Sequence, residues 1–236
     1  MTSEQEADGV MGMDDATSAA KKADGYRGIW YCNEATGDEY VYKYSGGLGT
    51  FCCSHIPFAH YAPEAQKTFF VYGGTAEGER RLLIMASYYD HRRGMAPRPT
   101  VVCDKGTDDA HDNPVIALDA EGFVWVFASS HGKARPSYVY RSDKPYSTDS
   151  FALVETTNFS YPQVHFLPGK GLFFLHTIYE GGRRLYWTAS QDGRAWAEPQ
   201  ELAGIAQGHY QISWWQDGKV GTAFNYHPAE GGLNYR

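Results

Sequence analysis

The sequence predicts an all-β fold of the β-propeller class, supported by a repeat, a turn pattern and the lack of helical periodicity. Four strand-like runs begin at Thr68, Pro114, Tyr161 and His209, which are separated by 46, 47 and 48 residues. A repeat of roughly 40–50 residues, with several short strands in each unit, is typical of propeller blades. Asp-Gly, Glu-Gly, Pro-Gly and Gly-Gly pairs stand between the runs, and no segment shows a sustained helical period. Such a fold directs the ends of its inner strands toward one central hollow.

Residues 1–24 differ from the rest of the chain. They are rich in Ala, Asp, Glu, Ser and Gly and lack the apolar run of a secretory signal. We predict a disordered leader over 1–24 and one propeller domain over 25–236. The sequence itself leaves the cellular compartment open.

The predicted strands are short runs rich in Val, Ile, Phe, Tyr and Trp, each bounded by turn residues. An opening pair precedes the Gly-rich bend at 45–49 and is expected to belong to a blade completed by the other end of the chain. Three full repeats and the start of a fourth follow. The predicted strands are 26–31, 40–44, 69–72, 82–89, 100–103, 115–118, 124–129, 138–141, 151–154, 164–166, 172–177, 185–190, 200–203, 209–214 and 220–226.

The segment Ser190-Gln-Asp-Gly-Arg-Ala-Trp196 is a short form of the Asp-box hairpin found in sialidase-type propellers. Its Ser and Asp are expected to brace the turn through local hydrogen bonds, and its Trp to fill the space between strands. This role is structural, so the motif does not mark an active site.

Three full and two partial repeats are too few to close a ring of four-stranded blades. We therefore expect an incomplete propeller of about four to five blades, truncated at the C-terminus. The chain would be a fragment of a longer propeller, or a partner would supply the remaining blades. Exposed blade faces predict poor solubility in isolation.

Composition limits the partners that we expect. The chain has 236 residues, of which 42% are hydrophobic, enough for one sizeable core. Aromatic residues make up 15%, which fits strand propensity and core filling, with sugar stacking as the functional alternative. The net charge is −7 without a basic cluster, which disfavours nucleic acid. No run approaches the roughly 20 apolar residues of a membrane-spanning helix, so no membrane partner is expected.

The four cysteines form no C-x-x-C pair and no disulfide-rich pattern, which favours buried thiols. Cys52, Cys53, His55 and His60 could supply a structural zinc site, although their spacing matches no standard pattern. We predict no catalytic metal.

The candidate chemistry lies in two strings that flank predicted strands. The first, Asp108-Asp-Ala-His-Asp-Asn-Pro114, contains His111 and Asn113, and the second, Ser129-Ser-His-Gly-Lys-Ala-Arg-Pro136, contains His131 and Arg135. We expect the two loops to fold back so that both histidines reach the central hollow. The alternative is that each histidine only forms hydrogen bonds within its loop.

Polar aromatic and imidazole groups recur at equivalent points of the later repeats. An arginine nearby could bind a sugar carboxylate through two hydrogen bonds. The further candidates are Tyr161, His176, Tyr210, Tyr226 and Arg184.

A set of His, Tyr and Arg side chains suits β-elimination from a uronate. An Arg, or a neutral donor, on the carboxylate stabilises the enolate-like intermediate. A His or Tyr removes the C5 proton, and a second one protonates the leaving oxygen. A glycosidase with paired carboxylates is less favoured, because the acidic residues near the hollow look like turn formers.

At these residues the chain resembles the BNR-4 repeat family, which contains ulvan lyases with seven-bladed propellers. The resemblance runs from about residue 25 to the end. It rests on Gly25-Tyr-Arg-Gly-Ile-Trp30, Tyr42-Lys-Tyr-Ser-Gly-Gly-Leu-Gly49, Ser87-Tyr-Tyr-Asp-His91, Asp109-Ala-His-Asp-Asn-Pro114 and Ser130-His-Gly-Lys-Ala-Arg-Pro-Ser-Tyr138.

The resemblance implies that His111 and His131 flank the bond to be cleaved, assisted by a tyrosine and an arginine. Tyr161 is the first choice for the tyrosine, and Tyr226 or Tyr210 could also contribute. This chain has Leu175-His-Thr177 where relatives carry an aromatic-Arg-Gly string, so the arginine role is expected to pass to Arg184 or to be lost. It also implies an acidic polysaccharide as the substrate, no required cofactor, and a secreted or periplasmic location.

The sequence therefore predicts a polysaccharide lyase acting on a uronate-containing, ulvan-like polymer. A sialidase-like glycoside hydrolase and a non-catalytic glycan-binding propeller are the alternatives.

Overall fold

The computed structural model describes residues 21–23, 25, 55–76, 79, 81–204 and 211–224. Over these residues the chain is all-β, with one short 3-10 helix at Ala110–Asp112. None of the described helical segments is long and apolar enough to cross a membrane. The strands are β1 (Lys21–Lys22), β2 (Ala59–Ala62), β3 (Lys67–Gly74), β4 (Leu83–Asp90), β5 (Thr100–Asp104), β6 (Pro114–Leu118), β7 (Val124–Ala128), β8 (Ser137–Ser142), β9 (Phe151–Thr157), β10 (Ser160–Leu167), β11 (Gly171–Tyr179), β12 (Arg183–Ser190), β13 (Gln200–Ala203), β14 (Gln211–Gln216) and β15 (Lys219–Phe224).

The strands form four antiparallel sheets, none of which closes on itself. Sheet 1 has the order β1-β5-β4-β3-β2, sheet 2 β6-β7-β8-β9, sheet 3 β10-β11-β12-β13, and sheet 4 β14-β15. From β2 onward, strands that are consecutive in a sheet pair as antiparallel neighbours, as the short turn-rich connections predicted. The all-β class is therefore confirmed, while the propeller stays a prediction.

The strand order of sheet 1 shows that the first predicted repeat was misaligned by one strand. The run that begins at Thr68 lies in β3, the second strand from its edge, whereas the runs at Pro114 and Tyr161 lie in edge strands. The strand β3 is therefore not equivalent to the edge strands β6 and β10, although its Gly73 lies against Asn113, the residue before β6. The edge strand of sheet 1 is β2, which was not predicted because Ala-His-Tyr-Ala is short and lacks β-branched residues.

The core lies on both faces of sheet 2, whose strands β6 and β7 are buried along their whole length. Successive side chains of a strand point to opposite faces. Accordingly, Ile116 and Val126 pack with residues of sheet 1, while Val115 and Phe127 pack with residues of sheet 3. Sheet 2 is thus fixed between its two neighbours, which positions the loops at its ends.

The segment that leads into β2 ties three sheets together. Val164 N donates to the carbonyl of Ile56 (3.1 Å), and Ile116 N donates to the carbonyl of Pro57 (2.9 Å). Val71 N donates to the carbonyl of Phe58 (2.9 Å). These bonds hold β3, β6 and β10 around one segment of the chain.

The Asp-box prediction is confirmed in the turn between β12 and β13. Asp192 Oδ1 accepts from the backbone N–H of Arg194 (2.8 Å), and Ser190 Oγ accepts from that of Gly193 (2.8 Å). The indole of Trp196 packs edge-on against Phe127, at 6.0 Å between ring centroids. The motif therefore braces a turn and joins sheets 2 and 3.

Candidate active site

The two histidines of the sequence motifs lie at one edge of sheet 2. His111 is in the 3-10 helix that precedes β6, and His131 follows β7. Pro114 pairs with Ala128 in the antiparallel ladder, so the start of β6 and the end of β7 are neighbours. The predicted fold-back of the loops is therefore unnecessary, because the hairpin itself brings the histidines together. We call this end of the strands, where β6 starts and β7 ends, the histidine edge; it includes the start of β10 and the end of β11.

The imidazoles of His111 and His131 stack on each other. Their ring centroids are 4.0 Å apart and their planes differ by 17°. Asp109 lies across both rings: Oδ1 is 2.5 Å from His111 Nδ1, and Oδ2 is 2.8 Å from His131 Nδ1. Because a carboxylate only accepts hydrogen bonds, Nδ1 of each ring is in position to donate to Asp109. The histidine side chains are 13% and 34% exposed, so both can be reached from solvent.

A network of charged side chains holds Asp109 in place. Arg135 Nη2 donates to Asp109 Oδ2 (3.3 Å), and Arg135 Nε donates to Asp112 Oδ2 (2.9 Å). Asp112 is fully buried; it forms an ion pair with buried Lys105 (3.5 Å) and accepts from the backbone N–H of His131 (2.8 Å). Burial acts to raise the pKa of Asp109, but hydrogen bonds from His111 and His131 outweigh it and hold the pKa well below its usual range.

Two tyrosines and an arginine of sheet 3 complete the site. The ring of Tyr161 meets that of His111 edge-on at 6.1 Å, and the ring of Tyr179 meets that of His131 at 6.2 Å. Tyr179 Oη donates to Tyr161 Oη (3.3 Å), and Arg183 Nε donates to Tyr179 Oη (3.1 Å). A chain of polar groups therefore extends from the histidines to a guanidinium.

Tyr161 has an unusual backbone. Its φ is 51°, in the left-handed region, and the ladder between β10 and β11 shifts register between Ser160 and Gln163. Such a conformation is strained for an aromatic residue, and bulges of this kind often re-aim a side chain near active sites. Here the bulge turns the Tyr161 ring toward His55 and His111.

The other predicted site residues are placed differently. Arg184 pairs with Glu201 (3.0 Å). Neighbouring residues of a strand point to opposite faces, so Arg184 and Arg183 lie on different sides of β12. Asn113 is buried against Gly73, where no side chain would fit. Arg135 donates to Asp109 and Asp112, as described above. Tyr210 and Tyr226 lie outside the described residues.

His176 is buried between sheets 2 and 3 rather than at the histidine edge. Its ring stacks on Phe174 at 4.4 Å between centroids. It lines a cavity of 720 Å³ that also contacts Arg135, Phe159 and Trp196. Burial lowers the pKa of His176 to about 4, so the imidazole is neutral at neutral pH.

Acid is expected to destabilise the protein through His176. Between its ordinary pKa of 6.5 and the folded value of about 4, the unfolded chain binds a proton that the folded chain does not, so stability falls as pH falls. The difference corresponds to about 3 kcal/mol. Urea unfolding at about pH 7 and about pH 4.5 should therefore show a smaller loss of stability in His176→Phe than in the unchanged protein.

The matched control for this prediction is His91→Phe, which replaces an exposed imidazole in the same way. Buried His55, whose pKa burial lowers to about 3, should account for part of the loss that remains in His176→Phe. An identical acid loss in His176→Phe and in the unchanged protein would contradict the prediction.

Sequence reasoning missed Asp109, Tyr179 and Arg183. Asp109 was interpreted as a turn former, although its place two residues before His111 offered a signal. Tyr179 and Arg183 flank a Gly-Gly turn that was treated only as a strand connection. Pairing of β11 with β12, which places Tyr179 opposite Arg183, joins them.

Among the described residues, one group could hold a metal ion: Asp109, His111 and His131 each offer one ligand atom, and these atoms lie close together. In this structure Nδ1 of each ring is instead hydrogen-bonded to an oxygen of Asp109. As for the expected zinc site, Cys52 and Cys53 lie outside the described residues. His55 Nε2 donates to the carbonyl of His111 (2.9 Å).

The chain matches one protein-family model in sequence and resembles several polysaccharide lyases in fold. The BNR repeat-containing family model matches residues 79–227. A PL25 ulvan lyase structure, bound to -[GlcA(1-4)Rha3S]-, has a TM-score of 0.57 and 16% identity, covering 73% of this chain and 46% of that one. A second structure of a PL25 ulvan lyase has a TM-score of 0.58 and 16% identity, covering 76% and 48%.

The polysaccharide lyase Uly1 has a TM-score of 0.54 and 12% identity, covering 79% of this chain and 51% of that one. This chain thus spans about half the length of these structures. At such identities the likeness shows a shared fold. No curated protein sequence matches the chain.

Proposed function

The chain belongs to the BNR repeat-containing family, and from this premise we propose that it is a polysaccharide lyase that cleaves a uronate-containing, ulvan-like polymer by β-elimination. The observation that carries the proposal is the stacked pair of His111 and His131 on Asp109, open to solvent beside Tyr179 and Arg183. The shared fold with ulvan lyases supports the same class of reaction.

We also propose that the four sheets are consecutive blades of a β-propeller. In sheets 2 and 3, four consecutive strands follow one another from one edge of the sheet to the other, as in a propeller blade. The first strands of sheets 2, 3 and 4 are neighbours, since β10 contacts both β6 and β14. In sheet 1 the corresponding strand is β2, which contacts β6.

In the proposed reaction one imidazole acts as base and the other as acid. The base removes the proton from C5 of the uronate, the C4–O4 bond breaks, and a double bond forms between C4 and C5. The acid gives its proton to the departing O4. The two histidines suit these roles because both lie at one edge, in contact, and both can be reached from solvent.

We assign the uronate carboxylate to Arg183 rather than to Arg184. Arg183 reaches the histidine edge through Tyr179, whereas Arg184 is paired with Glu201. A guanidinium at the carboxylate offsets the charge that develops as C5 loses its proton. Tyr161 is 1% exposed, so we assign it to positioning Tyr179, the more exposed of the two tyrosines.

The direct experiment is to mix the protein with a panel of uronate polymers, including ulvan, and follow the ultraviolet absorbance of the unsaturated product. The proposal predicts that absorbance rises with time on at least one polymer. A folded protein that produces none across the panel contradicts it. Binding without turnover would select the non-catalytic glycan-binding alternative.

Neighbouring arginines offer a matched test of the carboxylate assignment. Arg183→Met is expected to lower kcat/KM by about 10²–10³-fold, as loss of one charge-stabilising donor does in other enzymes. Arg184→Met removes the same charge from an exposed pair and should change kcat/KM by less than about threefold. Equal losses in both variants would remove Arg183 from the proposed role.

A glycoside hydrolase is less well supported than a lyase. That chemistry needs one carboxylic acid and one free carboxylate on opposite sides of the bond. Asp109 is engaged by two histidines and Arg135, and Asp112 is buried against Lys105 and Arg135. Neither carboxylate of the histidine edge is therefore placed to act alone.

A further inference from the structure

We infer that Asp109 is a positioning residue that fixes both imidazoles of the pair in one tautomer, so that His111 and His131 exchange protons only through Nε2. The inference about tautomers stands on geometry alone. Its consequence for catalysis rests on the proposed function.

The first step is the geometry of the carboxylate. Each oxygen of Asp109 takes one ring nitrogen, Oδ1 that of His111 and Oδ2 that of His131. Oδ1 also accepts from the backbone N–H of His111 (3.0 Å), which ties the carboxylate to the 3-10 helix. One side chain therefore orients two rings at once, and it places Nδ1–H on both.

The second step is the support of Asp109 itself. Arg135 bridges Asp109 and Asp112, and Asp112 holds the backbone of His131 and pairs with Lys105. In this network the two carboxylates, Asp109 and Asp112, balance the charges of Arg135 and Lys105. The side chains of Asp112 and Lys105 are buried, which limits their freedom to move.

The third step is the charge that the pair can hold. Two imidazolium rings at the observed 4.0 Å separation would repel each other. Elimination needs one neutral ring as base and one protonated ring as acid, so a pair with a single positive charge meets that need.

The fixed tautomer determines which ring nitrogen exchanges protons during elimination. With Nδ1–H fixed on both rings, a neutral ring has its lone pair on Nε2, and a charged ring has its extra proton there. Proton removal and proton donation then both occur on the Nε2 edge, away from Asp109. A carboxylate with this role acts through the histidines and does not touch the substrate.

The test is nitrogen NMR of the histidine side chains in the unchanged protein, with signals assigned from the single variants His111→Ala and His131→Ala. We expect Nδ1–H on both rings in their neutral forms. Nε2–H on either neutral ring overturns the inference. This measurement needs no substrate, so it decides the role of Asp109 even if the protein proves to have no lyase activity.

The variant Asp109→Asn adds a second readout. The amide can accept from one ring, but its NH₂ group donates to the other, which forces that ring into the Nε2–H tautomer. On a polymer that the unchanged protein cleaves, kcat is expected to fall by about 10²–10⁴-fold with little change in KM. A normal kcat in a folded Asp109→Asn protein whose tautomer has changed would also overturn the inference. Asp143→Asn, an exposed carboxylate, serves as the matched control and should leave both readouts unchanged.

Discussion

Replacing either His111 or His131 by alanine is expected to lower kcat on an active polymer by at least about 10²–10⁴-fold. Each substitution removes one of the two proton-transferring groups, and the proposed reaction uses one ring as base and the other as acid. The double variant should be little worse than either single variant, because the two rings act as one unit. Initial rates from the ultraviolet absorbance of the unsaturated product measure all three.

His91→Ala is the matched control for this prediction. Its imidazole is exposed and bonds to Thr68 rather than to the site (2.8 Å). It should retain the full rate, and thermal unfolding should show that all variants are folded. Near-normal rates in both His111→Ala and His131→Ala would remove the pair from the mechanism.

Asp112→Asn is expected to lower the free energy of unfolding by about 3–5 kcal/mol, the largest stability effect that we predict. The side chain of Asp112 is fully buried and pairs with Lys105 and Arg135. Neutralising it leaves the buried Lys105 ammonium without its carboxylate and weakens the bond to the His131 backbone. Urea unfolding at neutral pH measures the loss.

Two comparisons sharpen the Asp112 prediction. Asp143→Asn, at an exposed carboxylate, should change stability by less than about 0.5 kcal/mol. Adding Lys105→Met to Asp112→Asn should recover part of the loss, because the unpaired buried charge is then gone. If Asp112→Asn costs less than about 1 kcal/mol, the buried pair does not have the role assigned to it.

Much of the fold could be predicted because strands alternate with turn residues along this chain. The strands from β5 to β13 lie where the apolar runs and Gly-containing turns placed them. The edge strand β2 could not be found in the same way, since Ala59–Ala62 has neither β-branched residues nor a clear alternation. That omission moved the first predicted repeat by one strand.

The two histidines of the site could be predicted from the sequence, whereas the residues that contact them were harder to predict. His111 and His131 stand out because each follows or precedes a strand within a polar string. Asp109 looks like any turn-forming Asp until the hairpin brings His131 onto its second oxygen. The choice between Arg183 and Arg184 depends on which face of β12 each residue occupies, which sequence spacing alone does not set.

The most direct test of the central claim is mass spectrometry of the fragments formed in water enriched in heavy oxygen. Elimination adds no water to the cleaved bond, so we predict fragments without the label, each new non-reducing end carrying an unsaturated uronate. Fragments with labelled reducing ends and no double bond would show hydrolysis, and the stacked imidazoles could not then have the acid and base roles assigned to them here.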